Sequence, residues 1–300
     1  MTATAAPTLV DQDGGLDDAL ALALLVSSPA ARLVAVTSVH GNVTAPAAAA
    51  NAARVLELYE HRHVPIAIGA DAPLAKPPHL AHPRDPLRHV IGAPRTNTPC
   101  AEAADELILR QARTHAGELD ILAIGPLTNI ATALRAEPKL PRLVRRLVVM
   151  GGAFEHPGNL TVHAEANIGH DPEAAASVLA ADFATTVVPL DLTRTVTATR
   201  RWLVQLVRTA PSIRMKTTAA LLVLAAPRRA LRLHDAVAAA VLLDPAIVTA
   251  TRSSPVRITL EPGPHHGQSR HASGSARPVE TIVRAVDGER VRVQLLMALT

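Results

Sequence analysis

Short apolar runs alternate with longer stretches of helical periodicity along most of the chain. Thr8-Leu9-Val10 reads as a buried strand that runs into carboxylates, and Ala19 to Val26 continues as a helix. Leu33 to Val39 is a second strand ending at Gly41-Asn42, followed by a helix from Ala45 to Glu60 and a third strand from Pro65 to Ile68. The rhythm resumes with strands at Leu119 to Ile124, Leu147 to Met150 and Thr185 to Pro189. Apolar runs of strand length separated by helices indicate a parallel sheet covered on both faces. The expected fold class is α/β: one domain over residues 1–300, with a mostly parallel central sheet flanked by helices in a Rossmann-like arrangement. Ligands of such sheets bind at the carboxyl ends of the strands, so the polar residues that close each strand are expected on one rim.

Two segments interrupt the rhythm. Residues 73–99 are rich in Pro, His and Arg and read as a loop over the site. Residues 262–278 are rich in Gly, His and Ser and read as a flexible loop or part of the binding wall.

Composition narrows the partners. Three hundred residues, 48% of them hydrophobic, suffice for a sizeable core. Cys100 stands alone, so no disulfide framework exists, and a reducing cytoplasmic setting is expected. Met1 to Thr8 shows neither the basic nor the apolar part of a leader, and no apolar run reaches the ~18 residues of a membrane span. A net charge of +4 raises nucleic acid as a partner. Against it, Arg142, Arg145, Arg146 and Arg228, Arg229, Arg232 sit at helix-like spacings and read as solvated faces. The four aromatic residues, Tyr59, Phe154, Phe183 and Trp202, are too few to stack bases. Neither nucleic acid nor membrane is expected as a partner.

The segment Asp11-Gln12-Asp13-Gly14-Gly15-Leu16-Asp17-Asp18 places four carboxylates within eight residues, directly after a strand. Four like charges this close repel one another unless a cation neutralises them. Oxygen-only donors suit a hard ion, Ca²⁺ or Mg²⁺. The glycines allow a turn sharp enough for Asp13, Asp17 and Asp18 to face one centre. One such Asp would be read as a helix cap; four together at the mouth of a buried strand point to metal.

This segment resembles the Asp-x-Asp-x-x-x-Asp-Asp fingerprint of the inosine-uridine preferring nucleoside hydrolases, with Gly14-Gly15 where that family has Pro-Gly. Further segments follow in the family's order: Gly41-Asn42-Val43-Thr44, Gly125-Pro126-Leu127-Thr128-Asn129, Met150-Gly151-Gly152, Gly158-Asn159, Glu165-Ala166-Asn167 and His234-Asp235. The stretch after Pro262 resembles the family least. The resemblance implies the nucleoside hydrolase fold and hydrolysis of ribonucleosides to ribose and free base, with Ca²⁺ as cofactor. It also implies a role in nucleoside salvage, a cytoplasmic location and assembly as a homodimer or homotetramer. It makes Asp13 both a metal ligand and the general base, with Asp18, the Thr128 carbonyl and Asp235 as further ligands and Asp11 in support. It gives Asp17, Asn42, Met150, Asn159, Glu165 and Asn167 to the ribose, with Asn42 also orienting the attacking water. His234 lies over the leaving base as a general acid, and His82 falls near a base-contacting position, with Pro83 and Pro86 replacing glycines of that pattern.

Two other readings compete. Asp11-Gln12-Asp13-Gly14 also resembles the fingerprint of haloacid dehalogenase-like Mg²⁺ phosphatases. That family needs a downstream lysine at a helix start, and Lys76, Lys139 and Lys216 do not supply one. A non-catalytic nucleoside- or ribose-binding protein on the same fold would keep the ribose contacts without needing the metal set. Base preference is not legible, since Leu221 to Arg232 lacks the aromatics the family places before the His-Asp pair.

Overall fold

The computed structural model describes residues 5–82, 85, 87, 98–209, 230–273 and 278–299. Its strands are β1 (Ala6–Gln12), β2 (Ala31–Ser38), β3 (Ile66–Ile68), β4 (Leu119–Ala123), β5 (Val144–Met150), β6 (Thr185–Val188), β7 (Thr197–Thr199), β8 (Ala230–Arg232), β9 (Val248–Ser254), β10 (Val256–Ile258), β11 (Ser269–His271) and β12 (Glu280–Val286). Eight of them form one sheet in the order β3-β2-β1-β4-β5-β6-β12-β9. Every pairing in it is parallel except β12 with β9. The parallel α/β sheet is as expected; β12, which enters between β6 and the antiparallel edge strand β9, was not anticipated from the chain's rhythm.

Side chains alternate across the sheet with a period of two, and both faces are apolar. Val10, Val36, Leu122, Val148, Val188 and Val283 point to one core. Leu9, Ala35, Ile121, Leu147, Val187 and Ile282 point to the other. The first face is covered by helices α1 (Leu16–Ser27), α2 (Ala45–Leu58), His234–Leu243 and Gly288–Leu299. The second is covered by Ala104–Thr114, Thr128–Ala136 and Pro172–Leu179. Helix α1 is apolar almost all round, with Leu20 to Leu25 buried, as a helix enclosed on several sides must be.

The strand order fixes where a ligand can sit. From β1 the chain crosses to β2 on one side, while β4 lies on the other, so the helices leaving β1 and β4 diverge. A crevice opens at that point, outside the carboxyl ends of the two strands. The loops after β1, β2, β4 and β5 surround it and carry the segments singled out above, except His234-Asp235, which follows β8.

One reading of the arginines needs correction. Arg145 and Arg146 stand on β5, not on a helix, and both bind the fully buried Asp120 of β4. Burial of that carboxylate demands charge compensation, which the two guanidiniums supply while Arg145 stays exposed to solvent. Arg228 and Arg229 lie outside the described residues, as does most of Leu221 to Arg232. Within residues 262–278, Ser269–His271 (β11) pairs antiparallel with β10, and His271 stacks on Phe154 with ring centroids 4.8 Å apart; residues 274–277 lie outside the described residues.

Candidate active site

The carboxylate loop begins at the end of β1. Asp11 is fully buried, and its Oδ1 accepts from Thr37 Oγ1 at 2.6 Å and Asn129 Nδ2 at 2.8 Å. Burial pushes its pKa up to about 7, against those two hydrogen bonds. Gly14 then turns the chain with φ +80°, a value open to glycine and closed to proline, which is locked near −65°. A Cβ there would also lie 2.6 Å from Ala48 Cα. A proline could not adopt this turn, which is held by Asn51 Nδ2 donating to the Gly14 carbonyl at 2.8 Å.

Asp13 is clamped by Asn42. The Asn42 backbone N–H donates to Oδ2 at 2.8 Å and its side-chain amide to Oδ1 at 2.7 Å. Gly41, with φ +156°, lets the β2 loop approach this close; a Cβ would fall 2.1 Å from Asp13 Oδ2. Asp18 accepts the N–H of Asp13 at 3.1 Å and of Gly15 at 2.9 Å, so it caps its own helix while facing Asp13. Asp17, on the same turn, caps a different helix. Its Oδ2 accepts the N–H of Asp235 at 2.8 Å, at the start of His234–Leu243, and its Oδ1 has no partner. The cap reading and the site reading therefore coexist at both residues.

Electrostatics set the cluster apart. Burial raises the pKa of Asp13, Asp18 and Asp235 and takes Asp17 up to about 7. The charges acting on Asp235 are those of Asp18, Asp17, Asp13 and Glu165, all negative. Among the described residues no three acidic, histidine or cysteine side chains are already closed as a metal cage. The donor chemistry nevertheless fits a hard cation: buried carboxylate oxygens, one of them unpartnered, with only like charges around them.

The other rim residues arrive from β4 and β5. Thr128 opens the helix Thr128–Ala136; Leu127 and not Thr128 occupies its cap position. Asn167 Nδ2 donates to the carbonyls of Ile124 at 3.1 Å and Met150 at 3.0 Å, tying the ends of β4 and β5 together. Glu165, buried and with its pKa raised by burial, accepts the N–H groups of Gly152, Asn167 and Ile168. Asn159 is exposed and accepts the N–H of Ala166 at 2.8 Å. His234 Nδ1 meets Thr193 Oγ1 at 2.7 Å, and burial, with Arg232 and Arg194, lowers its pKa to about 4. The exposed His82 reaches the site only through its backbone, whose N–H donates to the Asn42 carbonyl at 2.7 Å.

Several supporting residues escaped the sequence reading: Thr37, Asn51, Asp171, Thr193 and the buried His40. His40 directly precedes the Gly41-Asn42 pair, and that adjacency was the one available signal.

A family model described as inosine-uridine preferring nucleoside hydrolase matches residues 8–293. The chain belongs to this family. The match runs past Pro262 to residue 293. A probable uridine nucleosidase 1 of Oryza sativa subsp. japonica is 35% identical over 202 residues, 66% of this chain and 62% of the relative. A non-specific ribonucleoside hydrolase RihC of Klebsiella pneumoniae is 38% identical over 191 residues, 62% of each chain. These matches span about six-tenths of the curated relatives' length. Among solved structures, a plant nucleoside hydrolase, PpNRh1, superposes with a TM-score of 0.88 at 26% identity, covering 98% of this chain and 99% of that one. A purine-preferring ribonucleoside hydrolase from Gardnerella vaginalis superposes with a TM-score of 0.87 at 25% identity, covering 98% of each. No helix of the described residues is long and apolar enough to cross a membrane.

Proposed function

We propose that this chain hydrolyses the N-glycosidic bond of ribonucleosides to ribose and free base. The observation that carries the reading is the convergence of Asp13, Asp17, Asp18 and Asp235, buried and mutually repelling, at the sheet's switch point. The named relatives differ in the base they act on, so the substrate class is ribonucleosides and not one base.

In this reading Ca²⁺ would be held by Asp13, Asp18 and Asp235, and not by the expected Thr128 carbonyl, which is turned along its helix and accepts Thr132 Oγ1 at 2.9 Å; when bound, the ion would neutralise the cluster and acidify a water. Asp13, oriented by Asn42, takes the proton from the water that attacks C1′. The new C–O bond forms as the C1′–N bond breaks and its electron pair leaves with the base. The surrounding carboxylates favour the positive charge that develops on the sugar. The unpartnered Oδ1 of Asp17, together with Asn42, Met150, Asn159, Glu165 and Asn167, grips the ribose hydroxyls, and a buried hydroxyl needs such partners. His234 serves the leaving base. Its Nδ1 is held against Thr193 Oγ1 at 2.7 Å, which leaves Nε2 for the base, and His82 borders the base side. Assembly as a homodimer or homotetramer in the cytoplasm belongs to the same reading, and light scattering of the purified protein tests the assembly.

A panel of purine and pyrimidine ribonucleosides, assayed for free base and reducing sugar, tests the activity. Release of both, abolished in Asp13→Asn, is the expected result. Binding without turnover would favour a nucleoside-binding protein, and turnover of phosphate esters alone a phosphatase.

A further inference from the structure

We propose that the helical turn Leu190–Thr193, together with Arg194, is a positioning element that couples the sugar side of the site to His234. The inference rests on the hydrolase reading above and adds to it Asp191, Thr193 and Arg194. In that reading none of the three touches substrate or metal.

The turn follows β6, and Arg194 continues its helical backbone. Side chains three apart on such a turn share a face. Leu190 and Thr193 make one pair, and both are fully buried. Asp191 and Arg194 make the other, and both reach the loop that leaves β5. Asp191 Oδ2 accepts the N–H of Phe154 at 2.8 Å, and Oδ1 accepts those of Glu155 and His156, each at 2.8 Å. His156 Nδ1 also lies 3.1 Å from Oδ1. Burial opposes the charge on Asp191, yet these donors hold its carboxyl below the usual range. Arg194 Nη2 donates to the Gly158 carbonyl at 3.0 Å. The backbone adds a further hold, since the Leu190 N–H donates to the Gly152 carbonyl at 2.8 Å. One turn thus fixes the β5 loop at Gly152, at residues 154–156 and at Gly158.

That loop leads to the sugar side. The Gly152 N–H donates to Glu165 Oε2 at 3.0 Å, and the charge of Glu165 acts on Asp235 in the carboxylate cluster. Asn159, next to Gly158, accepts the N–H of Ala166 at 2.8 Å, which ties the far end of the loop to the Glu165 segment. On its other face the turn meets the leaving-group side, where Thr193 Oγ1 lies 2.7 Å from His234 Nδ1. The Leu233 N–H steadies that end by donating to the Val196 carbonyl at 3.2 Å. The residue that holds His234 is therefore the chain neighbour of the residue that holds Gly158. A shift on either side passes to the other through one closed turn, in which the Arg194 N–H donates to the Leu190 carbonyl at 3.2 Å. Thr193 acts through His234, and Asp191 and Arg194 act through the β5 loop.

Steady-state kinetics of the full chain on inosine, uridine and p-nitrophenyl riboside tests the coupling. Thr193→Val keeps the shape and removes the hydroxyl. It should slow inosine and uridine by about 10–100-fold, the worth of a hydrogen bond to developing charge, and leave p-nitrophenyl riboside nearly unchanged. Thr193→Ser, which keeps the hydroxyl, should match wild type. Thr193→Val with His234→Ala should lose no more than His234→Ala alone, because the hydroxyl acts through that imidazole. Arg194→Met and Asp191→Asn should instead raise KM more than they lower kcat. Their kcat/KM should fall by about 10–100-fold on all three substrates alike, since misplacing a binding group by about 1 Å costs on the order of 10²-fold. Arg194→Lys, which keeps charge and donor, should recover part of that loss. Melting temperatures separate a misplaced site from a lost fold; if Thr193→Val does not fold, Thr193→Ala replaces it, and Asp191→Asn stands in for Arg194→Met. Equal loss on all three substrates in Thr193→Val overturns the link to His234. Wild-type kcat/KM in both Arg194→Met and Asp191→Asn overturns the link to the sugar side. If the wild type turns over none of the three, the hydrolase reading fails, and amide hydrogen exchange decides the turn alone: unchanged exchange at residues 154–156 in Asp191→Asn overturns it.

Discussion

Asn42 holds both carboxylate oxygens of Asp13, one through its backbone N–H and one through its side-chain amide, at 2.8 and 2.7 Å. Alanine keeps the backbone N–H, so Asn42→Ala removes only the grip on Oδ1. A hydrogen bond to a charged group is worth about 1.5–3 kcal/mol. The expected outcome is a fall in kcat of about 10–100-fold on ribonucleosides with little change in melting temperature. Wild-type kcat in the variant would show that Asp13 does not need the clamp.

Gly41 is where the β2 loop meets Asp13. In Gly41→Ala the new Cβ would fall 2.1 Å from Asp13 Oδ2, and φ +156° adds backbone strain. Displacing a reacting group by about 1 Å costs on the order of 10²-fold. Gly117→Ala is the control: φ there is +75°, so it carries similar strain, but nothing lies within 4 Å of its Cβ. Both variants should lose stability in thermal melts, and only Gly41→Ala should lose activity.

His234→Ala separates leaving-group help from sugar binding. With its pKa lowered to about 4, His234 is neutral at pH 7 and gives the leaving base a hydrogen bond and not a proton, so turnover of natural nucleosides should fall by about 10–100-fold, the worth of a hydrogen bond to developing charge. The p-nitrophenyl riboside, whose phenolate leaves unaided, should be nearly unaffected. Equal losses on both substrates would assign His234 to positioning the sugar or its neighbour Asp235.

His170 gives stability a pH dependence of known sign. It is 3% exposed, and burial, with His40, His79 and Lys76 nearby, lowers its pKa from 6.5 to about 4. Between those values the unfolded chain binds the proton and the folded one does not, so this contribution is present above pH 6.5 and is lost as pH falls toward 4. Its size is on the order of 2–3 kcal/mol. His170→Gln should therefore melt with a shallower acid dependence than wild type across that window. Parallel melting curves for the two proteins would remove His170 from the acid response.

Local pattern carried much of this. Short continuous apolar runs marked the strands of the parallel sheet, because a strand buried on both faces must be apolar along its length. The carboxylates from Asp11 to Asp18 announced a charged site, because like charges in eight consecutive residues have no local way to be neutralised. The order of the motifs from Asp11 to Asp235 was enough to identify the family. What the chain's local pattern could not specify were its partnerships at long range. Asp17 caps the helix of Asp235, 218 residues away. Asp120 on β4 takes Arg145 and Arg146 of the neighbouring β5 as partners, and β12 slips between β6 and β9. His40, Thr128 and Asp171 meet from three separate segments. Periodicity and turn chemistry act over a few residues, whereas a buried polar group takes whichever partner the packed sheet brings to it, and only the tertiary structure decides which that is.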